Sequence, residues 1–199
     1  MNRQAPIVLR SGVRDERDGF GHLLTPSTGA FARSAIGYWA CDNDCFSGFN
    51  TRLFLKMLDK VKKINGCLFV ACPDVVGKWL DTLDLFETWQ PIIAVHQLPV
   101  AIVVQDGVEP TSIPWDRIDA VFIGGTTEFK FSTRAQSITA YSMARGKWVH
   151  MGRVNSRRRF NYAWSSGCQS IDGSSFSWFP NTYATNLLKW KSQGRLFCV

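Results

Sequence analysis

Short apolar runs, each ending in a polar or glycine-rich turn, alternate along the chain with longer amphipathic stretches. Six runs are predicted to be strands: AIGYWACD (35–42), CLFVACPD (67–74), VAIVVQDG (100–107), AVFIGG (120–125), KWVHMG (147–152) and the weaker QSIDG (169–173). Most are continuous rather than alternating, which is typical of parallel strands covered on both faces. The segments HLLTP (22–26) and RLFCV (195–199) could supply further strands.

The stretches between these runs have helical spacing. Predicted helices cover residues 50–64, 79–89, 133–145, 156–165 and 183–191. The dipeptide Asn65-Gly66 ends the first, and Pro91 lies just past the end of the second. Repeated strand–helix units predict parallel strands with right-handed crossovers.

Seven or eight strands in 199 residues favour a compact (β/α)8 barrel that forms a single domain over residues 1–199. The alternative is a doubly wound open sheet, but the sequence contains no GxGxxG fingerprint.

The composition is that of a globular protein, with 45% hydrophobic and 20% charged residues. No apolar run approaches the roughly 20 residues that span a bilayer, and the N-terminal residues do not resemble a signal peptide. The six cysteines are scattered, which favours reduced thiols and a cytoplasmic location. Because no Cys or His pair has metal-ligand spacing, we expect no metal site.

Positive charge is concentrated in the second half of the chain. Residues 1–100 carry 11 basic and 10 acidic side chains, whereas residues 101–199 carry 12 and 6. From residue 129 to the last residue there are 11 basic side chains and one acid, Asp172. Such a surface favours a polyanionic partner, most often nucleic acid, although it also serves solubility.

Three predicted strands end in a carboxylate: Asp42, Asp74 and Asp172. In barrels of this kind, catalytic side chains lie at the carboxyl ends of the strands. Any one of these residues alone could be a turn or helix-capping residue. Paired carboxylates on one rim support glycosidic chemistry, in which one attacks or stabilises the anomeric carbon and the other moves a proton. The neighbouring Asp44 and Asp106 could take the roles of Asp42 and Asp74.

The ordered motifs YWACDNDCF, CPDVVG, VVQDG, FIGG, HMG and SIDG resemble those of the tRNA-guanine transglycosylases. The resemblance covers about residues 36–176 and is greatest to the compact phage-encoded DpdA-type enzymes, which insert 7-deazaguanines into DNA. It implies a (β/α)8 glycosyltransferase that exchanges guanine for a preQ0- or preQ1-type base through a covalent aspartyl-glycosyl intermediate. It implies no cofactor and, for a phage protein, action in the host cytoplasm.

The resemblance also implies roles for individual residues. Asp172 would be the nucleophile that attacks C1′, and Asp42 the general acid and base. The residues implied to bind the base are Phe46 and Met151 on its two faces, together with Asp74, Gln105, Gly124 and Gly125.

Several positions depart from the family pattern. Asp44 and Cys45 stand where the family has two glycines, Ser47 replaces a glutamine, and Lys130 stands at the position of a later glutamate. The family's C-terminal zinc cluster is absent from this sequence. We therefore expect DNA rather than tRNA as the substrate, with a free 7-deazaguanine as the second substrate and the oligomeric state left open.

A cluster of arginines follows the HMG motif: Arg153, Arg157, Arg158 and Arg159. It opens a predicted helix with Asn155 or Ser156 as N-cap, and helix-start amides with guanidinium groups bind phosphate. A base inside a duplex cannot reach Asp172, so the target must be flipped out or single-stranded. The alternatives are the same exchange on tRNA, a non-catalytic DNA-binding barrel, and an N-glycoside hydrolase.

Overall fold

A computed structural model of the chain describes residues 4–11, 20–28, 37–175 and 180–194. Eight parallel strands form a closed barrel in which neighbours in sequence are neighbours in space. The strands are Ile7–Arg10 (β1), Phe20–Leu24 (β2), Trp39–Cys41 (β3), Cys67–Ala71 (β4), Val100–Val104 (β5), Ala120–Ile123 (β6), Trp148–Met151 (β7) and Ser170–Asp172 (β8). β8 pairs back onto β1 with Leu9 opposite Asp172, which closes the barrel. The predicted (β/α)8 architecture is confirmed, and the open sheet is excluded.

Six α-helices are present in the described part of the chain. They are Thr51–Val61 (α1), Trp79–Val95 (α2), Thr127–Lys130 (α3), Thr133–Ala144 (α4), Arg157–Ser166 (α5) and Pro180–Gly194 (α6). Between β5 and β6, two single 3-10 turns at Pro110–Ser112 and Trp115–Arg117 replace a helix. The β5-to-β6 connection therefore contains no α-helix.

Side chains of the strands alternate between two layers. Those that point into the barrel form a small inner cluster: Leu9, Leu23, Ala40, Phe69, Ala101 and Ala120. Those that point outward, such as Trp39 and Ile171, pack against the helices in a larger core. Successive side chains of a strand point to opposite faces. The residue at which a strand ends therefore decides which side chain points into the barrel there.

The elements β1 and α2 differ from the sequence prediction. The strand β1, of only four residues, was not predicted. Helix α2 continues through Pro91 to Val95, so the predicted end at residue 89 is wrong. Ile93 is fully buried and packs in the core beyond the proline, which stabilises the last turn although Pro91 donates no backbone hydrogen bond. The possible strand at 195–199 lies outside the described residues.

No helix within the described ranges is long and apolar enough to cross a membrane. Five cysteines in those ranges are free thiols: Cys41, Cys45, Cys67, Cys72 and Cys168. No group of three or more metal-ligating side chains comes together among the described residues.

Candidate active site

A pocket opens at the carboxyl ends of β3 to β8. Its lining residues come from the ends of these strands and from the loops that follow them: Asp42, Asn43, Phe46, Asp74, Val76, Val103, Gln105, Phe122, Gly124, Gly125, Lys130, Gly152, Arg153 and Asp172. Eight of the twelve site residues predicted from the sequence are brought together here. The other four are Met151, Arg157, Arg158 and Arg159.

Asp74 is held by hydrogen bonds to both of its carboxylate oxygens. Asn43 Nδ2 donates to Oδ1 at 2.7 Å, and Gln105 Nε2 donates to Oδ2 at 2.6 Å. Gln105 is itself fixed, since its Oε1 accepts from the Gly77 backbone N–H at 2.9 Å. Burial raises the pKa of Asp74 above its usual range, and the Asn43 hydrogen bond partly opposes this shift. Asn43 was not predicted as a site residue, although it follows Asp42 directly at the strand end.

Asp42 has a carboxyl group that is easily protonated. Burial raises the pKa of Asp42 to about 7, with a further contribution from the negative charge of Asp172. The Asn43 backbone N–H donates to Asp42 Oδ1 at 2.8 Å and opposes the shift. Both protonation states are therefore populated near neutral pH, which suits a group that must donate and accept a proton in one reaction cycle.

Asp172 is the last residue of β8 and has two hydrogen-bond partners on one oxygen. Its Oδ1 accepts from the Arg153 backbone N–H at 3.1 Å and lies 3.1 Å from His150 Nε2. The side chain is 17% exposed and faces the pocket. No local pattern in the sequence selects His150, because its position beside Asp172 depends on the register between β7 and β8.

The carboxylates at Asp44 and Asp106 do not line the pocket. Asp44 accepts from the Ser27 backbone N–H at 2.7 Å, and Asp106 accepts from the backbone N–H and the hydroxyl of Thr126. Both therefore stabilise loops. Asp42 and Asp74, by contrast, line the pocket, which favours them for the roles that the sequence left open.

Gly124 leaves room for two side chains that line the pocket, Val103 and Gln105. A Cβ at this position would lie 2.7 Å from Val103 Cγ1 and 2.8 Å from Gln105 Nε2. The next residue, Gly125, has a φ of +73°, in the left-handed region that favours glycine. Gly124 therefore leaves the space in which the Gln105 amide reaches Asp74.

A basic wall faces the carboxylates. Lys130 is buried, and its Nζ donates to the Gly152 carbonyl at 3.0 Å. Burial lowers the pKa of Lys130 to about 8. Arg153 Nη2 donates to the Gly125 carbonyl at 2.7 Å, and Arg153 Cζ lies 4.9 Å from the centre of the Phe46 ring. Arg153 thus contacts the β3 and β6 loops from the β7 loop.

The stacking role expected for Met151 is wrong. Met151 is 2% exposed and points outward from β7 into the core between the barrel and the helices. Its neighbour His150 is the residue that points inward. Phe46, which is 73% exposed at the mouth, and Phe122 supply the aromatic lining of the pocket. None of the tryptophans in the described segments lines it.

The remaining arginines lie outside the pocket, at the start of α5. Arg157 and Arg158 are exposed, and the Ser156 hydroxyl caps the helix by accepting from the Arg159 backbone N–H at 3.3 Å. Arg159 donates to the Arg153 carbonyl at 3.1 Å, so it supports the loop that carries Arg153. Arg157 and Arg158 remain accessible to a large ligand above the pocket.

No protein-family model matches the chain, and no curated protein matches its sequence. Among solved structures, the fold is similar to that of the Bacillus subtilis YkuI protein, with an EAL domain, in complex with substrate c-di-GMP and calcium. The TM-score is 0.37 with 13% identity, and the match covers 79% of this chain and 36% of that chain. The chain thus spans about a third of the length of that protein. A likeness at this level carries no argument about function.

Proposed function

We propose that this chain is a DNA-guanine transglycosylase that exchanges guanine in DNA for a 7-deazaguanine base of the preQ0 or preQ1 type. The observation that carries the proposal is one pocket in which three carboxylates from three strand ends have different surroundings. Asp172 has one oxygen hydrogen-bonded, Asp42 has a pKa of about 7, and Asp74 has both oxygens held. Carboxylates in such different environments can act as nucleophile, acid–base group and base-binding group.

In the first half of the reaction, Asp172 attacks C1′ of the target nucleotide. The C1′–N9 bond breaks, its electron pair stays with guanine, and Asp42 in its protonated form supplies the proton that neutralises the departing base. A covalent glycosyl ester of Asp172 remains. A carboxylate suits this role because it forms the ester and later leaves again as a stable anion.

In the second half, a 7-deazaguanine occupies the site of the departed guanine. Asp42, now ionised, removes the N9 proton. N9 attacks C1′ and the Asp172 carboxylate leaves, so the enzyme returns to its starting state. Two inversions at C1′ retain the β configuration. No electrons are gained or lost, and the reaction requires no redox cofactor.

Asp74 is suited to recognise the hydrogen-bonding edge of a guanine-like base. Its two oxygens each accept one bond from the protein, which leaves further lone pairs for the N1–H and the amino group of the base. Phe46 at the mouth offers an aromatic face for stacking. The same recognition serves guanine and 7-deazaguanine because both present the same edge.

The exposed Arg157 and Arg158 support a nucleic-acid substrate. They lie in the first turn of α5, a few residues after Arg153, which lines the pocket, and both are exposed and available to a backbone phosphate. Contacts of this kind are independent of sequence and weaken as salt rises. The preference for DNA over tRNA rests on the resemblance of the sequence motifs to those of the DpdA-type enzymes. Product analysis with both polymers tests it.

The test is product analysis by mass spectrometry. The protein is incubated with guanine-containing single-stranded or duplex DNA, and separately with tRNA, in the presence of preQ0 or preQ1, and the polymer is digested to nucleosides. We expect a 7-deazaguanine deoxynucleoside from DNA, which Asp172→Asn abolishes. The matched control Asp116→Asn changes an exposed aspartate at the opposite end of the barrel and retains activity.

The other outcomes distinguish the alternatives. A modified nucleoside from tRNA alone would transfer the proposal to tRNA. Free guanine without incorporation of the new base would indicate a hydrolase. No product from either polymer, together with salt-sensitive DNA binding, would overturn the enzymatic proposal and favour a non-catalytic DNA-binding barrel.

A further inference from the structure

A chain of hydrogen bonds runs through the interior of the barrel to Asp172. Trp148 Nε1 donates to Ser170 Oγ at 2.8 Å, and the same oxygen lies 2.9 Å from His150 Nδ1. His150 Nε2 lies 3.1 Å from Asp172 Oδ1. These four side chains come alternately from β7 and β8, so the register between the two strands assembles the chain.

The direction of this chain is fixed at both ends. An indole N–H can only donate, so Ser170 Oγ accepts from Trp148 and has its own proton available for His150 Nδ1. An ionised carboxylate can only accept, so His150 Nε2 must carry the proton that faces Asp172. The neutral Nε2–H tautomer satisfies every link, and every donor then points toward Asp172.

The surroundings of His150 hold its ring in place. The side chain is fully buried, and Ser170 is buried as well. The centres of the Phe69 and Phe122 rings lie 4.9 and 4.5 Å from that of the imidazole. In this apolar layer each ring nitrogen of His150 has a hydrogen-bond partner, so neither polar atom is buried unsatisfied.

The consequence at Asp172 is an asymmetry between its two oxygens. Oδ1 accepts from His150 Nε2–H and from the Arg153 backbone N–H. Within the described residues no hydrogen bond is made to Oδ2. The carboxylate is thus oriented with one oxygen held and the other available in the pocket.

We infer that His150 is a positioning residue that, through the chain Trp148–Ser170–His150, selects Oδ2 of Asp172 as the attacking oxygen. This inference rests on the proposed function, because it takes Asp172 as the nucleophile. When Oδ2 bonds to C1′, Oδ1 becomes the carbonyl oxygen of the ester and keeps both of its donors. When the ester is displaced, the same donors stabilise the charge that returns to the carboxylate. The Nε2 proton stays on His150 throughout.

The kinetic test compares two variants at one position. His150→Phe fills the space between the two phenylalanine rings but removes the donor, whereas His150→Gln retains an amide N–H near the position of Nε2. We expect His150→Phe to slow single-turnover formation of the covalent enzyme–DNA intermediate about 100-fold, the scale of a misplaced reacting group. The KM for the incoming base should change little, and His150→Gln should recover a large part of the rate.

A second readout is independent of activity. The protein contains three histidines. The side-chain ¹⁵N signals of His150 are therefore assigned by their loss in His150→Gln. We expect the neutral Nε2–H tautomer at pH 7. A neutral Nδ1–H tautomer or an imidazolium at that pH would overturn the directional chain.

The two readouts separate the failure of each claim. Exchange at the wild-type rate in His150→Phe would overturn the positioning role and leave the proposed function standing. If the wild-type protein showed the Nε2–H tautomer but no exchange on DNA or tRNA, the proposed function would fail. The positioning of a nucleophile would fail with it, whereas the hydrogen-bond chain would stand as a structural feature. Equal losses in His150→Phe and His150→Gln with lowered thermal stability in both would assign His150 to packing alone.

Discussion

Asp42, Asp74 and Asp172 are the same type of residue, and their surroundings separate them. Asp42 is partly buried near the negative charge of Asp172, and its raised pKa makes it easily protonated. Asp74 is fixed between two amides, and Asp172 is fixed through one oxygen only. A buried carboxyl group that must be protonated to be stable is useful in catalysis and costly to folding once it ionises. Asp42 shows this conflict most clearly.

We predict that Asp42→Asn stabilises the fold at high pH. The pKa of Asp42 is raised from 3.8 to about 7, so between these values the folded protein holds a proton that the unfolded chain has lost. Stability therefore falls as pH rises through this window, and the penalty is complete above pH 7. Asparagine never ionises and can still accept from the Asn43 N–H.

The expected gain in unfolding free energy is on the order of 2 kcal/mol at pH 8 and close to zero at pH 4. Denaturant titrations of both proteins at the two pH values measure it. A gain of equal size at both pH values would show that ionisation of Asp42 is not its cause. Because Asp42 moves the proton in the proposed reaction, the more stable variant should be inactive in exchange.

The sequence could predict the carboxylates of the site but not the groups that control them. Asp42, Asp74 and Asp172 follow apolar runs, and this signal is local. His150 and Lys130 act through neighbours on other strands, which no local pattern reports. The family resemblance implies a place in the pocket for Met151, but the position of a motif does not reveal which face of the strand its side chain occupies. Because side chains alternate along β7, His150 points into the barrel and the next residue, Met151, points outward.

At the scale of the element, continuous apolar runs predicted six of the eight strands, and a shorter segment (22–26) pointed to β2. β1 was missed because four residues, Ile7–Arg10, carry too little pattern to distinguish a strand from a loop. The end of α2 was misplaced because Pro91 is an unfavourable helix residue whose cost is offset by the burial of Ile93. In the closed barrel each strand is hydrogen-bonded to a neighbour on both sides, and this pairing stabilises strands whose own sequence pattern is weak.

The strand-end glycines give a prediction at this scale. Gly124→Ala should push Gln105 away from Asp74, since the new Cβ would lie 2.8 Å from Gln105 Nε2. We expect the KM for the incoming base to rise about tenfold, equivalent to about 1.4 kcal/mol. Steady-state kinetics with the free base as the varied substrate measure the change.

The matched control is Gly146→Ala, at the opposite end of the barrel. Gly146 has a φ of +67° and open space around its Cβ position, so alanine there costs about 1 kcal/mol of stability through backbone strain alone. Its KM should equal that of the wild type. An unchanged KM in Gly124→Ala would mean that Gln105 does not position the base-binding carboxylate.

At the scale of the whole molecule, acidic and basic groups come together at the carboxyl end of the barrel. The acidic groups of the pocket lie beneath a basic margin formed by the β7 loop and the start of α5. In the proposed reaction, the nucleic-acid backbone would contact this margin and the target base would meet the carboxylates of the pocket. This arrangement depends on barrel closure, because the residues involved come from strands that are distant in sequence.

We predict that Arg157→Gln combined with Arg158→Gln weakens DNA binding at every sequence tested. The slope of log affinity against log salt concentration should become shallower by about 2, because two phosphate contacts are lost. Fluorescence anisotropy over a range of salt concentrations measures it. The control is Lys60→Gln with Lys63→Gln, two exposed residues at the carboxyl end of α1, and its slope should match the wild type. Equal changes in both double variants would show that binding follows net charge alone.

The most direct test of the central claim is the intact mass of the denatured protein after incubation with guanine-containing DNA and no incoming base. The account predicts a species heavier by the mass of the oligonucleotide less one guanine, formed by the wild type and absent from Asp172→Asn. Proteolysis should place the adduct on the peptide that contains Asp172. A wild-type protein that releases guanine without forming this species, or an adduct on another residue, would contradict Asp172 as the nucleophile.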